Sequence, residues 1–164
     1  MTISRTGLAS LVAVGDNVVD RYPDLGVMYP GGNAVNVAVN ARRLGARAAY
    51  LGAVGSDRAG ALVREALETE GVDLTRTRFL PGPNAYATVR VLDGNRVFEG
   101  GDVGVSRFRL APEDLVALGG YDVVHTGECS MTEEDLPAMR AHARLLSFDF
   151  SERPFEYVAE HAGH

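Results

Sequence analysis

The stretch "YPGGNAVNVAVNARRLG" (residues 29–45) joins two adjacent glycines to a run of small apolar residues and asparagines. We expect a helix over residues 33–44, with Gly31 and Gly32 at its start. The first N–H groups of a helix lack partners within it, and the helix dipole is positive there. Because glycine has no side chain, a ligand can approach the main chain closely. A tight strand-to-helix turn without a ligand is the competing interpretation.

Three asparagines on this helix, Asn33, Asn36 and Asn40, form a polar stripe that covers an arc of about 60°. An amide carries both donors and acceptors, which suits a ligand rich in hydroxyl groups. The ordinary interpretation is that Asn33 caps the helix and Asn40 is solvated. Asn36 lies one turn inside the helix, so it is the asparagine that we expect to contact a ligand.

Immediately upstream, the apolar run "LASLVAVG" (residues 8–15) predicts a buried parallel strand, and "GDNVVD" follows it. Open α/β sheets bind ligands outside the carboxyl ends of their strands, where Asp16 and Asp20 would lie. An ionised carboxylate can accept hydrogen bonds from two neighbouring hydroxyls. Turn formation by Asp16 and exposure of Asp20 to solvent are the alternatives.

The rest of the chain has an α/β rhythm with one antiparallel insertion. Residues 86–99 alternate at period two and turn at Asp93–Gly94, which predicts a β-hairpin. In the helix predicted at residues 58–71, Ala61, Leu62, Ala66 and Leu67 share the apolar face. We expect a parallel sheet flanked by helices, with buried strands at residues 8–15 and 47–55 and further strands at residues 121–127 and 145–151. Further helices are expected at residues 111–118, 131–144 and from 154 onward.

Composition excludes several classes of function. The 164 residues contain no lysine, which excludes a P-loop and a Schiff-base mechanism within this chain. The net charge of −6 without a basic cluster argues against nucleic acid, and no segment is long enough to span a membrane. A single cysteine, Cys129, fits a reducing compartment such as the cytoplasm. A dinucleotide-binding oxidoreductase is disfavoured, because the first glycine turn does not read G-x-G-x-x-G.

A family resemblance becomes specific at "GGNAVNVAVNARRLGARAAYLGAVG" (residues 31–55). This segment resembles the first signature of the ribokinase-like (PfkB) sugar kinases, and "VGSDRAG" and "SFDFSERPFEY" resemble two later segments of that family, with Ser151 in place of the usual Asn. The matching signature positions are Gly31, Gly32, Ala34, Asn36, Ala38, Gly45 and Gly55. Within the family, "GDNVVD", "YPGGNAVNVAVNARRLG" and "FDFS" are most similar to the branch that phosphorylates fructoselysine.

The resemblance implies a ribokinase-like fold and an ATP-dependent kinase acting on a sugar, or on a sugar adduct such as fructoselysine. It implies that Asp20 binds sugar hydroxyls, that Gly31 and Gly32 supply a main-chain contact, and that Asn36 is the sugar-binding asparagine. It also implies lid strands at about residues 17–30 and 84–106, which would close over the sugar. Lid strands often build dimer interfaces in this family, so a homodimer through them is a further expectation.

The same family carries its catalytic base in a later Gly-Ala-Gly-Asp segment, which these 164 residues do not contain. We therefore expect the base to lie beyond His164, and residues 1–164 to be the N-terminal, substrate-and-lid part of a kinase domain, inactive as an isolated chain. ATP and Mg²⁺ are expected for the intact enzyme, with neither held by this portion alone. A non-catalytic sugar-binding or dimerisation module of the same fold is the alternative.

No protein-bound metal is expected. Glu160, His161 and His164 near the end of the chain have a spacing that could suggest metal ligands. The sequence offers no further ligand to complete such a site, so we interpret them as residues of a terminal helix.

Overall fold

The computed structural model describes residues 8–163. Residues 1–7 and His164 of the predicted domain lie outside the described residues. The expectation that the catalytic base follows His164 stays a prediction. Within the described range, four strands form a fully parallel sheet in the order β10-β9-β1-β4. They are β1 (Ser10–Val14), β4 (Arg47–Leu51), β9 (Val123–Gly127) and β10 (Leu146–Asp149). Each falls within a predicted strand segment, and β10 forms one edge of this parallel sheet.

Helices cover both faces of the parallel sheet, which confirms the predicted α/β class. They are α1 (Asn33–Arg43), α2 (Arg58–Thr69), α3 (Pro112–Leu118), α4 (Leu136–His142) and α5 (Phe155–His161). Strand β1 divides its side chains between two cores, because alternate residues of a strand face opposite sides. Val12 and Val14 pack in the core that contains Leu118 and Met139. Ala13 packs in the other core, with residues of α1 and α2.

The apolar face of α2 matches the predicted one only in part, since Leu67 is buried and Leu62 packs against the same core. The buried residues are Ala59, Gly60, Val63 and Leu67, whereas Ala61 is exposed. Gly60 fixes this orientation, since a side chain there would begin 2.0 Å from the carbonyl oxygen of Gly55. Close packing of the helix backbone on β5 (Ala53–Gly55), which pairs with β6 (Arg78–Leu80), thus decides which face turns inward.

A second four-stranded sheet, which we call the outer sheet, has the order β3-β2-β7-β8. Its strands are β2 (Val18–Tyr22), β3 (Val27–Gly31), β7 (Tyr86–Leu92) and β8 (Asn95–Asp102). The hairpin of β7 and β8 turns at Asp93 and Gly94, both at positive φ, as in the favoured two-residue hairpin turns. The predicted hairpin is therefore present, and it pairs with the segment that links β1 to α1.

Candidate functional site

A cavity of about 490 Å³ lies between the outer sheet and the carboxyl ends of the parallel strands. The turn after β1 and the start of α1 line one wall, and the outer sheet lines the opposite wall. This is where open α/β sheets bind ligands, and the volume falls within the usual range of small-molecule sites. The positive end of the eleven-residue helix α1 is directed at this cavity.

Three of the four predicted substrate-binding residues line this cavity: Asp20, Gly32 and Asn36. Gly31 does not, because it lies in β3 and pairs with Val18. The three come from a strand of the outer sheet, a turn and a helix, and only the tertiary fold brings them together. No hydrogen bond of the Asn36 side chain occurs within the described residues, and Asn36 is exposed to the cavity.

Asp20 is held by an arginine of the outer sheet. Its Oδ2 accepts a hydrogen bond of 2.7 Å from Nη2 of Arg96, whose guanidinium carbon lies 5.5 Å from the centre of the Phe98 ring. No hydrogen bond to Oδ1 of Asp20 occurs among the described residues, so this oxygen can still accept one from a ligand hydroxyl. Asp20 also shares the cavity-facing side of β2 with Val18, whereas Val19 points into the core.

Gly32 is required by the backbone at the start of α1. Its φ of 107° is unfavourable for residues with a side chain, and an added Cβ would lie 2.7 Å from Cα of Asn17. The same Cβ would lie 3.0 Å from the carboxylate of Asp16. Glycine at this position therefore allows the start of α1 to pack closely against the turn after β1, beside the cavity.

The cap of α1 is Asp16, and the expectation that Asn33 caps this helix is wrong. The Asp16 carboxylate accepts hydrogen bonds from the backbone N–H groups of Asn33, at 2.7 Å, and Ala34, at 3.1 Å. Ser130 donates a third, at 2.9 Å. The N-cap residue itself is Gly32, which has no side chain. An acceptor seventeen positions away in sequence carries no local capping signal, so the sequence pattern missed it.

Asn33, which also lines the cavity, instead joins a polar chain with Asp149 and His125. Its Nδ2 donates to Asp149, and its Oδ1 lies 2.9 Å from Nε2 of His125. Because the carboxylate can only accept, Nε2 of His125 carries the proton, and Nδ1 accepts from Ser147 at 3.1 Å. Burial lowers the pKa of His125, with Asp149 and Asp16 opposing this effect, so the imidazole is neutral near pH 7.

Asn17 is a further residue that sequence reasoning did not single out. It is buried, lines the cavity, and donates from Nδ2 to Tyr50 Oη at 2.9 Å and to the carbonyl of Ala53 at 2.6 Å. Its Oδ1 is buried without a hydrogen-bond partner among the described residues. An unsatisfied acceptor at a cavity wall is costly, and a donor from water or a ligand would relieve that cost.

No group of three or more His, Cys, Asp or Glu residues within residues 8–163 is arranged to hold a metal ion. His164, the last member of the terminal Glu160–His161–His164 set, lies outside that range. Among the same described residues no helix is both long enough and apolar enough to cross a membrane.

Comparison with known proteins identifies relatives along most of the chain. Residues 9–147 match the pfkB family carbohydrate kinases. The fructosamine kinase FrlD of Bacillus subtilis (strain 168) is 44% identical over 146 residues, covering 86% of this chain and 51% of that protein. The fructoselysine 6-kinase of Escherichia coli (strain K12) is 37% identical over 147 residues, covering 89% of this chain and 56% of that protein. The chain thus spans about half the length of these relatives.

Solved structures agree on the fold. The fructokinase of Xylella fastidiosa with bound ATP superposes with a TM-score of 0.74 at 24% identity, over 88% of this chain and 49% of that one. The ribokinase of Arabidopsis thaliana complexed with ribose and ATP superposes with a TM-score of 0.73 at 20% identity, over 90% of this chain and 55% of that one. With the sequence matches, these results confirm the predicted ribokinase-like fold: the chain belongs to the PfkB family of carbohydrate kinases.

Proposed function

We propose that this chain is the sugar-binding and lid part of an ATP-dependent kinase that phosphorylates a hydroxyl group of a sugar adduct such as fructoselysine. The observation that carries the proposal is the meeting of Asp20, Gly32 and Asn36 at one cavity below the outer sheet. The similarity to a fructosamine kinase and a fructoselysine 6-kinase supports the adduct over a simple hexose.

In this proposal the chain binds and orients the acceptor. The free Oδ1 of Asp20 accepts hydrogen bonds from sugar hydroxyls, and the amide of Asn36 can both donate and accept. Gly32 allows the sugar to reach the main chain at the positive end of α1. The outer sheet acts as the lid and excludes water, which would otherwise compete as phosphoryl acceptor.

The intact enzyme would use ATP with Mg²⁺, which supplies the phosphoryl group and neutralises its developing charge. We assign no catalytic residue within this chain and expect the base beyond His164, since the 164 residues contain no Gly-Ala-Gly-Asp segment. A non-catalytic sugar-binding or dimerisation module of the same fold remains the second candidate. The sequence encoded after His164 separates them, because an in-frame Gly-Ala-Gly-Asp segment is required only by the kinase.

Calorimetric titration of the purified chain with fructoselysine tests the proposed site. We expect saturable binding, with Asp20→Asn weakening it at least about tenfold through loss of a charged acceptor. Asp93→Asn is the matched control, because Asp93 is an exposed residue of the hairpin turn and should leave affinity unchanged. Equal affinity of Asp20→Asn and the wild type would refute the role of Asp20. Phosphorylation of any sugar by the chain alone would contradict the placement of the base.

We also propose that the outer sheet mediates homodimerisation. Every residue of its edge strand β8 is exposed, including Val97 and Phe98, and a strand edge of this kind can pair with a second copy. Sedimentation equilibrium should show a dimer that Val97→Asp dissociates. A wild-type monomer at high micromolar concentration would rule the dimer out.

A further inference from the structure

A second cavity, of about 470 Å³, adjoins the proposed sugar site. Arg107 and Met131 line both cavities, so they form the boundary between them. The other residues of the second cavity are Phe108, Arg109, Glu133 and Glu134. A ligand larger than a sugar could therefore occupy the first cavity and continue past Met131 into the second. The inference below rests on the proposed function, since it concerns the same acceptor.

The charges of this second cavity are only partly paired. Arg109 forms ion pairs with Glu134 and, at 3.2 Å, with Asp135. No ion pair of Arg107 or of Glu133 occurs among residues 8–163, although the two line the same cavity. One guanidinium and one carboxylate are thus left facing this space without a charged partner.

Glu133 is fixed by a neutral donor. The hydroxyl of Tyr157 donates to Oε1 of Glu133 at 2.6 Å. Burial, together with the Glu133 carboxylate, raises the pKa of Tyr157 to about 12, so the hydroxyl keeps its proton at neutral pH. This hydrogen bond orients the carboxylate without neutralising it. Glu133 therefore retains a negative charge that a cation of the ligand can balance.

We propose that the second cavity binds the amino-acid head of the sugar adduct, with Arg107 binding its α-carboxylate and Glu133 its α-ammonium. In fructoselysine the sugar is joined to the side-chain nitrogen of lysine, so both charged groups are free at the far end of a methylene chain. Arg107 offers planar, charge-assisted hydrogen bonds to a carboxylate. Met131, 43% exposed at the boundary, offers an adaptable apolar surface to the methylene chain.

A simple hexose would leave both charges of the second cavity unsatisfied, so the subsite would favour adducts that carry both a carboxylate and an ammonium group. The discrimination comes from two opposite charges that line one cavity, and an adduct lacking one of its own charged groups loses only the matching interaction. This selectivity makes the roles of Arg107 and Glu133 separable in a single set of titrations.

The experiment titrates the chain with fructoselysine, with its decarboxylated analogue and with its deaminated analogue. We expect wild type to bind each analogue about tenfold more weakly than fructoselysine. Arg107→Gln should bind fructoselysine and the deaminated analogue about tenfold more weakly than wild type does, and the decarboxylated analogue unchanged. Glu133→Gln should show the reciprocal pattern. Arg140→Gln, at an exposed site on α4 outside the two cavities, should match wild type with all three ligands.

Three outcomes would overturn the inference. Equal weakening of all three ligands by an Arg107→Gln variant that keeps the wild-type melting temperature would show that Arg107 does not recognise the carboxylate. Equal wild-type affinity for the three ligands would leave the proposed kinase site standing and refute the subsite alone. Absence of binding for all three ligands to wild type would refute the proposed function, and the subsite with it.

Discussion

The parallel sheet and the outer sheet differ sharply in what holds them in place. Four of five residues in β1 and in β4 are buried, and the β1 side chains pack into two apolar cores. In the outer sheet all eight residues of β8 are exposed, and its arginines are paired with acids at the surface, as in Arg90–Asp24 and Arg96–Asp20. Exposed ion pairs contribute little stability. Strands β1 and β4 are thus held by burial in the cores, whereas β8 of the outer sheet is held by backbone pairing with β7 and by surface ion pairs.

The largest expected effect comes from comparing a Leu→Ala substitution in the parallel sheet with one in the outer sheet. Leu51→Ala removes a fully buried side chain from the core beside β1 and should cost about 2–5 kcal/mol in the free energy of unfolding. Leu92→Ala removes a side chain that is 53% exposed near the hairpin turn and should cost less than about 0.5 kcal/mol. Urea denaturation measures both. Similar costs would mean that the outer sheet is as tightly packed as the core.

A smaller effect should distinguish two helix caps. Asp16 caps α1 at the cavity, and Asp57 caps α2 by accepting from Gly60 N–H at 2.9 Å, outside the residues that line this cavity. Asp16→Ala and Asp57→Ala should each lower stability by about 1–2 kcal/mol, as loss of an N-cap does. Only Asp16→Ala should also weaken fructoselysine binding, by about tenfold, because it releases the start of α1 that positions Asn36. Equal affinities of the two variants for fructoselysine would show that the cap of α1 does not affect ligand binding.

Much of the fold follows from local patterns in the sequence, and the limits of those patterns are informative. Apolar runs predicted β1 and β4 because strands of a parallel sheet are buried on both faces, whereas the edge strand β10 has no buried residue. Asp93–Gly94 predicted the hairpin because few other residue pairs fit its backbone turn. The buried face of α2 was predicted only in part, since the close approach of Gly60 to Gly55 depends on tertiary packing that periodicity does not encode.

The candidate site was predictable only in part. The glycines, Asp20 and Asn36 could be named from motif resemblance, and three of these four residues line the cavity. Asp16 as the cap of α1, and the chain from Asn33 to His125 and Asp149, could not be named. These contacts join residues from 17 to 116 positions apart, and nothing in the local sequence marks either partner.

The smallest expected effect concerns pH and is confined to the parallel-sheet side, because the strands of the outer sheet contain no histidine. Burial holds the pKa of His125 below its usual 6.5, so the unfolded chain binds the proton more readily than the folded one. The contribution of the neutral His125 side chain to the free energy of unfolding is complete above about pH 6.5. It is lost as the pH falls below that value, at no more than about 1.4 kcal/mol per pH unit.

The midpoint of urea unfolding, measured between pH 5.5 and 7.5, should therefore fall as the pH is lowered in wild type and change less in His125→Gln. Identical pH slopes for the two proteins would show that the His125–Asn33–Asp149 chain accommodates the imidazolium. The protonated ring could then donate to Ser147 as well as to Asn33, and the parallel-sheet side would be as indifferent to pH as the outer sheet.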